Sequence, residues 1–145
     1  MSQRDFAAEE IISPTTGNLV PTNAAAGTRN GAAIDRTLVD NPLSVLLSLA
    51  AGAATGSPTG QTADLNLQHS VDGSTGWADF TDSSGRGAVT QLTADSTQSQ
   101  EPVSITDARK FIRIVEVVTL TAGSTPLWPV CSTIILCGHD RQPQQ

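Results

Sequence analysis

From Thr62 to Val71 the chain reads TADLNLQHSV, and its residues alternate without a break. Ala63, Leu65, Leu67, His69 and Val71 fall on one side; Thr62, Asp64, Asn66, Gln68 and Ser70 fall on the other. Successive side chains of an extended chain point in opposite directions, so a period of two predicts a strand with one face against a core. A helix would scatter the same five positions around its axis. The run ends in Asp72-Gly73-Ser74-Thr75-Gly76, a turn by composition. The first functional question is what a histidine does on the apolar face.

The same period recurs elsewhere. In LSVLLSLAAGA, Leu43, Val45, Leu47, Leu49 and Ala51 oppose Ser44, Leu46, Ser48 and Ala50, so strand is favoured over helix. AAIDRTLVDNP reads as a strand closed by an Asn-Pro turn, and AVTQLT and VSIT as short strands. FIRIVEVVTL (Phe111–Leu120) and LWPVCSTIILCG (Leu127–Gly138), joined by TAGSTP, are expected to form a long β-hairpin. Pro129 has no N–H to give, so the returning strand is expected to start at an edge or a bulge. No repeat of fixed period and no helix emerges in this body. With 145 residues the chain is long enough for one domain with a core. The expected fold is all-β: an antiparallel two-sheet β-sandwich over residues 33–138, behind an extended N-terminal arm (1–32) and ahead of a flexible C-terminal tail (139–145).

Residues 1–32 are rich in Thr, Asn, Gly, Ala and Pro and hold no period, which suits either an arm laid on a partner or a disordered tail. Ordering an arm costs more than its side chains return unless its backbone also pairs with a sheet edge or contacts of the body hold it nearby. A chain starting near Ala32 is expected to fold without the arm but to bind its partner more weakly. The final hairpin is apolar on both faces: Phe111, Val115 and Val117 against Ile112, Ile114, Val118 and Leu120, then Val130, Ile134 and Leu136 against Cys131, Ile135 and Cys137. A sandwich strand needs only one such face. Either the second face is covered by the arm, another subunit or another protein, or a bulge near Glu116 exchanges the faces. The residues nominated for partner contact are Phe6, Ile11, Ile12, Leu19 and Val20 in the arm and Val117 and Ile135 in the hairpin. A homo-oligomer, a dimer first, is expected to bury the exposed stripe.

Chemistry is sparse. The formal net charge is −6 with one lysine, so no basic stripe suits nucleic acid. No run approaches the roughly 18 apolar residues of a membrane span, and no secretory signal pattern opens the chain. His69 has no acid beside it on its own face and reads as scaffold. No CxxC, HxH or HExxH spacing suggests zinc, DGSTG lacks a calcium loop's alternating acids, and GSTGW and SSGRG are turns rather than phosphate loops. No catalytic, cofactor-binding or metal residue is nominated. Cys131 and Cys137 lie six residues apart in one expected strand, about 20 Å, against the roughly 7 Å limit of a disulfide, and are expected to be free thiols. Trp77 and Trp128 either plug the ends of the sandwich or form a platform for a sugar.

The segment from Ile34 to Phe80, with LQHSVDGSTGW its most recognisable piece, and the pieces KFIRIVEV, STPLWPV and IILCG resemble capsid cement (decoration) proteins of tailed bacteriophages. The resemblance spans about residues 34–138 and rests on packing and turn residues. It implies a jelly-roll-like fold and a virion protein on the outer surface of the capsid. Such a protein binds the major capsid protein and bridges neighbouring coat subunits. It carries over no catalytic residue. The alternative class is a carbohydrate- or receptor-binding β-sandwich module of a phage tail or fibre.

Overall fold

In the computed structural model, residues 17–39 and 41–139 are described; for His139 this covers the backbone alone. Nine strands form among the described residues: β1 (Leu19–Ala24), β2 (Gly27–Asn30), β3 (Ile34–Asp35), β4 (Pro42–Ala51), β5 (Gly60–Ser70), β6 (Ala78–Asp79), β7 (Gln98–Ser104), β8 (Phe111–Thr121) and β9 (Trp128–His139). The first sheet has the order β1-β9-β4-β7 and the second β2-β8-β5-β6, with β3 also pairing β8. Every pairing is antiparallel. β2 meets residues 115–118 of β8 and β3 meets residues 111–112, so the two lie end to end along one edge. Counted as one interrupted strand, they leave eight positions, with sheets ordered first-eighth-third-sixth and second-seventh-fourth-fifth. That order is a jelly roll, the expected two-sheet sandwich in its wrapped form.

The alternation of the sequence becomes the two faces of each sheet. Val45, Leu47, Leu49, Ala63, Leu65, Leu67, Ile112, Ile114, Val118, Val130, Ile134 and Leu136 point between the sheets and are buried. Phe80, Val89 and Leu92 close the side next to β5. AVTQLT forms no strand of its own; it lies along the free edge of β5 through Leu92–Ala63 and Val89–Leu65 hydrogen bonds. At Leu67 that edge changes hands: its carbonyl accepts from Phe80 N–H and its N–H donates to Gly87 C=O. Gly87 makes the crowding possible, because a Cβ there would lie 1.8 Å from the Phe80 carbonyl oxygen. AAIDRTLVDNP is strand only at β3; a 3-10 turn over Arg36–Val39 follows.

Three expectations need correction. First, Phe111–Leu120 and Leu127–Gly138 are not a hairpin. β8 belongs to the second sheet and β9 to the first, so the intervening turn carries the chain across the sandwich. Second, residues 17–30 are not an arm outside the body. β1 pairs with β9 and β2 with β8, making the outer strands of both sheets on one side. The tight step from Ala24 to Gly27 changes sheets, and the backbone pairing that an arm would need is supplied in full. Residues 1–16, with Phe6, Ile11 and Ile12, lie outside the described residues. Third, of the two placements expected for Pro129 the edge fails: it sits in β9, an inner strand, next to the shift in the β1–β9 register between Leu19 and Thr22. Gly52 N–H donates to its carbonyl, but the reciprocal bond from proline cannot form, and the Gly52 carbonyl instead accepts the Trp128 indole N–H at 2.8 Å.

The register of β8 on β5 runs without interruption from Ser70–Phe111 to Gly60–Thr121, so no bulge exchanges the faces at Glu116. Glu116 points into the core and is fully buried. Its partners come from opposite ends of the chain, one on β2 and one on β9. Arg29, opposite it on β2, donates from Nε to Glu116 Oε1 at 2.8 Å; Ser132 Oγ on β9 donates to Oε2 at 2.5 Å. Arg29 also donates to the carbonyls of Val20 and Val130. A buried carboxylate is tolerated only when its charge is matched and its oxygens are bonded. This one satisfies both conditions by tying β1, β2, β8 and β9 together.

Candidate interaction surface

Several acidic side chains among the described residues hold turns. Asp72 accepts from the backbone N–H groups of Ser74 and Thr75 and from Thr75 Oγ1, and these bonds hold its carboxyl far below the usual carboxylate range. Asp82 accepts from the N–H groups of Ser84, Arg86 and Ser104; the Arg86 bond leads in lowering its pKa. Asp95 accepts from Gln61 and Ala54, the Gln61 bond leading in the same direction. His69 is half-buried, packed 5.2 Å from the Phe80 ring centroid, and its Nδ1 accepts from Arg109 N–H at 3.3 Å. Desolvation, with a smaller effect of Arg109, lowers its pKa and favours the neutral ring. Among the described residues, no group of three or more His, Cys, Asp or Glu side chains is placed to hold a metal ion, and no helix is long and apolar enough to cross a membrane.

What the molecule presents to partners is two sheet faces and an end. The outer face of the second sheet is charged and already networked. Val117 lies between Asp64 of β5 and Thr28 of β2; Val115 lies between Asn66 and Asn30. Both Asp64 oxygens accept from Gln91, and Gln68 accepts from Arg113 while donating to Asp79. The Arg113 guanidinium lies 4.3 Å from the centroid of the half-buried Trp77 ring. Trp128 is fully buried. The two tryptophans therefore serve packing and stacking inside the protein.

The outer face of the first sheet is different in kind. The registers of β7, β4 and β9 place four outward residues from each strand side by side: Ser104, Pro102, Gln100 and Gln98; Ser44, Leu46, Ser48 and Ala50; Cys137, Ile135, Thr133 and Cys131. None is charged, and all are half-buried or exposed. Leu46 sits directly beside Ile135 at the centre. Cys131 and Cys137 are not joined in a disulfide and lie six residues apart on one strand face, as their spacing implies.

The third feature is the end of the sandwich where β4 begins and β5 finishes. Leu38 is 82% exposed, Val71 68% and Leu43 43%; among the described residues they are three of the four large hydrophobic side chains that stand out in solvent, the fourth being Val20. Leu38 leaves the 3-10 turn, Leu43 opens β4 and Val71 follows β5, so all three project from the same end.

Of the nominated contact residues, Leu19 is half-buried against the core, Val20 is exposed beside a shift in the β1–β9 register, and Val117 and Ile135 face outward on opposite sheets. The structure does not bring them together. The tip residues Leu38, Leu43 and Val71 escaped the sequence reading because isolated apolar residues in loops carry no period. The signal available was that Val71 ends an apolar face one step before a turn. No protein-family model matches the chain, and no curated protein matches its sequence.

Proposed function

We propose that this chain is a structural virion protein that binds the outer surface of an assembled bacteriophage capsid as a homodimer and stabilises the shell by bridging neighbouring coat subunits. The observation that carries the reading is the set of exposed apolar tips, Leu38, Leu43 and Val71, at one end of a rigid jelly roll. Large apolar side chains gathered at one end in solvent suit a contact surface, whereas the same residues scattered singly would not. Tips at one end and a charge-free face along the side give a single block two separate places to hold partners, which a bridging protein requires. The resemblance to capsid cement proteins points the same way. The jelly roll itself serves capsid, lectin and enzyme families alike and argues for none of them.

A sugar-binding module on a tail or fibre is the competing class. It calls for an open aromatic platform, whereas Trp128 is buried and Arg113 stacks on Trp77. The test is to add the purified protein to undecorated capsids and image them. Protrusions on the outer surface, with a raised rupture temperature, are expected. A protein that leaves capsids bare but binds a glycan array overturns the reading.

A further inference from the structure

We infer that two copies of this chain pair through the outer face of the first sheet, around a twofold axis that passes beside Leu46 and Ile135. The inference rests on the homodimer in the proposed function and assigns its surface. At a twofold interface the same patch meets itself, so any charged group near the axis faces its own like. A chain with a formal net charge of −6 has few places where such a meeting is free of repulsion. The outward positions of β7, β4 and β9 supply one: twelve side chains from three strands, none charged. The opposite sheet does not, because Asp64 and Arg113 flank its valines.

Charge neutrality also argues against a foreign partner on this face. A partner of different sequence would gain specificity from complementary charges on an acidic protein, and this face offers it none. Its chemistry is what a self-partner needs: an apolar centre of Leu46 and Ile135, with small neighbours Ser48, Ala50, Cys131 and Thr133 that let sheets approach to the spacing of about 10 Å found between packed sheets. The extent is adequate. The four strands hold 6, 12, 10 and 7 residues; at about 4.8 Å between strands and roughly 3.3 Å per residue they make a face of roughly 550 Å² in projection. Its accessible area is larger than the projection and approaches the ~800 Å² per partner of a standard interface.

The two thiols report on the pairing directly, since Cys131 and Cys137 lie on the same face. The experiment is sedimentation velocity on the purified chain together with the rate of thiol alkylation over a dilution series. A dimer is expected, with alkylation slow at high concentration and faster as dilution separates the copies. Ser48→Asp and Ile135→Asp each place a charge opposite its own copy and should weaken pairing at least about a hundredfold. Ser48 is an outward polar position, so that variant keeps the core intact; circular dichroism and a thermal melt confirm this. Val117→Asp, on the other sheet, should leave the dimer unchanged. A wild-type monomer, a trimer, or a dimer that survives Ser48→Asp overturns the inference. A monomer that still decorates capsids removes this interface and leaves capsid binding standing. A dimer that ignores capsids does the reverse.

Discussion

Glu116 illustrates how one side chain joins distant parts of the chain. It continues the inward series Ile112, Ile114, Val118, Leu120, and its charge is matched by Arg29, 87 positions earlier. Removing one member of a buried pair strands the other, at a cost of about 3 kcal/mol; the partial exposure of Arg29 keeps the value at the low end of the usual range. Arg29→Ala should therefore lower the unfolding free energy by about that amount. Arg29→Ala with Glu116→Ala should cost less than the two single changes added, a coupling that urea titrations of all four proteins measure. His69 makes a second prediction at this scale. Burial holds its folded pKa below the usual histidine value, so the unfolded chain takes up the proton first as pH falls. The contribution is fully present above about pH 6.5 and is lost as pH drops through the lower folded value. The urea midpoint should fall between pH 7 and pH 5, and His69→Gln should flatten that fall; an equal slope in the variant refutes it. The place of His69 on an inward face was legible from alternation alone. The Arg29–Glu116 pair was not, because an acid on an apolar face signals a buried partner without saying which basic residue it is.

Strand identity follows from local pattern, whereas strand partnership depends on the path of the whole chain. Period two names the face that each residue occupies and leaves the neighbouring strand open. That is why β4, β5, β8 and β9 were legible and the β8–β9 hairpin was wrong: two adjacent apolar strands with a short turn satisfy the same pattern whether they pair or cross between sheets. β1 and β2 escaped for a different reason. Most of their side chains are exposed, so they show no apolar alternation, and they are held by backbone pairing at the sheet edges and by Arg29. The expectation that a chain starting near Ala32 folds is revised accordingly. Such a chain lacks both outer strands, uncovers one edge of β8 and one of β9, and leaves Glu116 without its cation. A chain starting at Gly17 should melt in a single cooperative transition like the full protein, whereas one starting at Ala32 should lose that transition and aggregate through its open edges. A cooperative melt for the shorter chain would show that β1 and β2 are accessory.

For the molecule as a whole, the consequence of two separate surfaces is that attachment and pairing can be broken independently. The tips Leu38, Leu43 and Val71 stand at one end, and the charge-free face runs along the side. If the twofold axis runs parallel to the strands, both ends of a dimer point the same way and reach one shell together. Each copy then raises the effective concentration of the other's tips at the surface, and the gain from such linkage is about a hundredfold to ten-thousandfold. Three proteins separate the contributions. The wild type should be dimeric and bind capsids most tightly. Leu38→Asp with Val71→Asp alters only exposed side chains; it should keep the dimer and the melting temperature but lose capsid binding. Ser48→Asp should be monomeric and still bind, with an apparent affinity lower by about a hundredfold or more because each copy attaches alone. Co-sedimentation with undecorated capsids over a concentration series gives the three affinities, and sedimentation velocity gives the three masses. Unchanged capsid binding in the tip variant would move the attachment surface away from this end. Equal affinity for Ser48→Asp and the wild type would mean that the two copies do not reach the same shell, and would place the axis across the strands with the tips pointing apart.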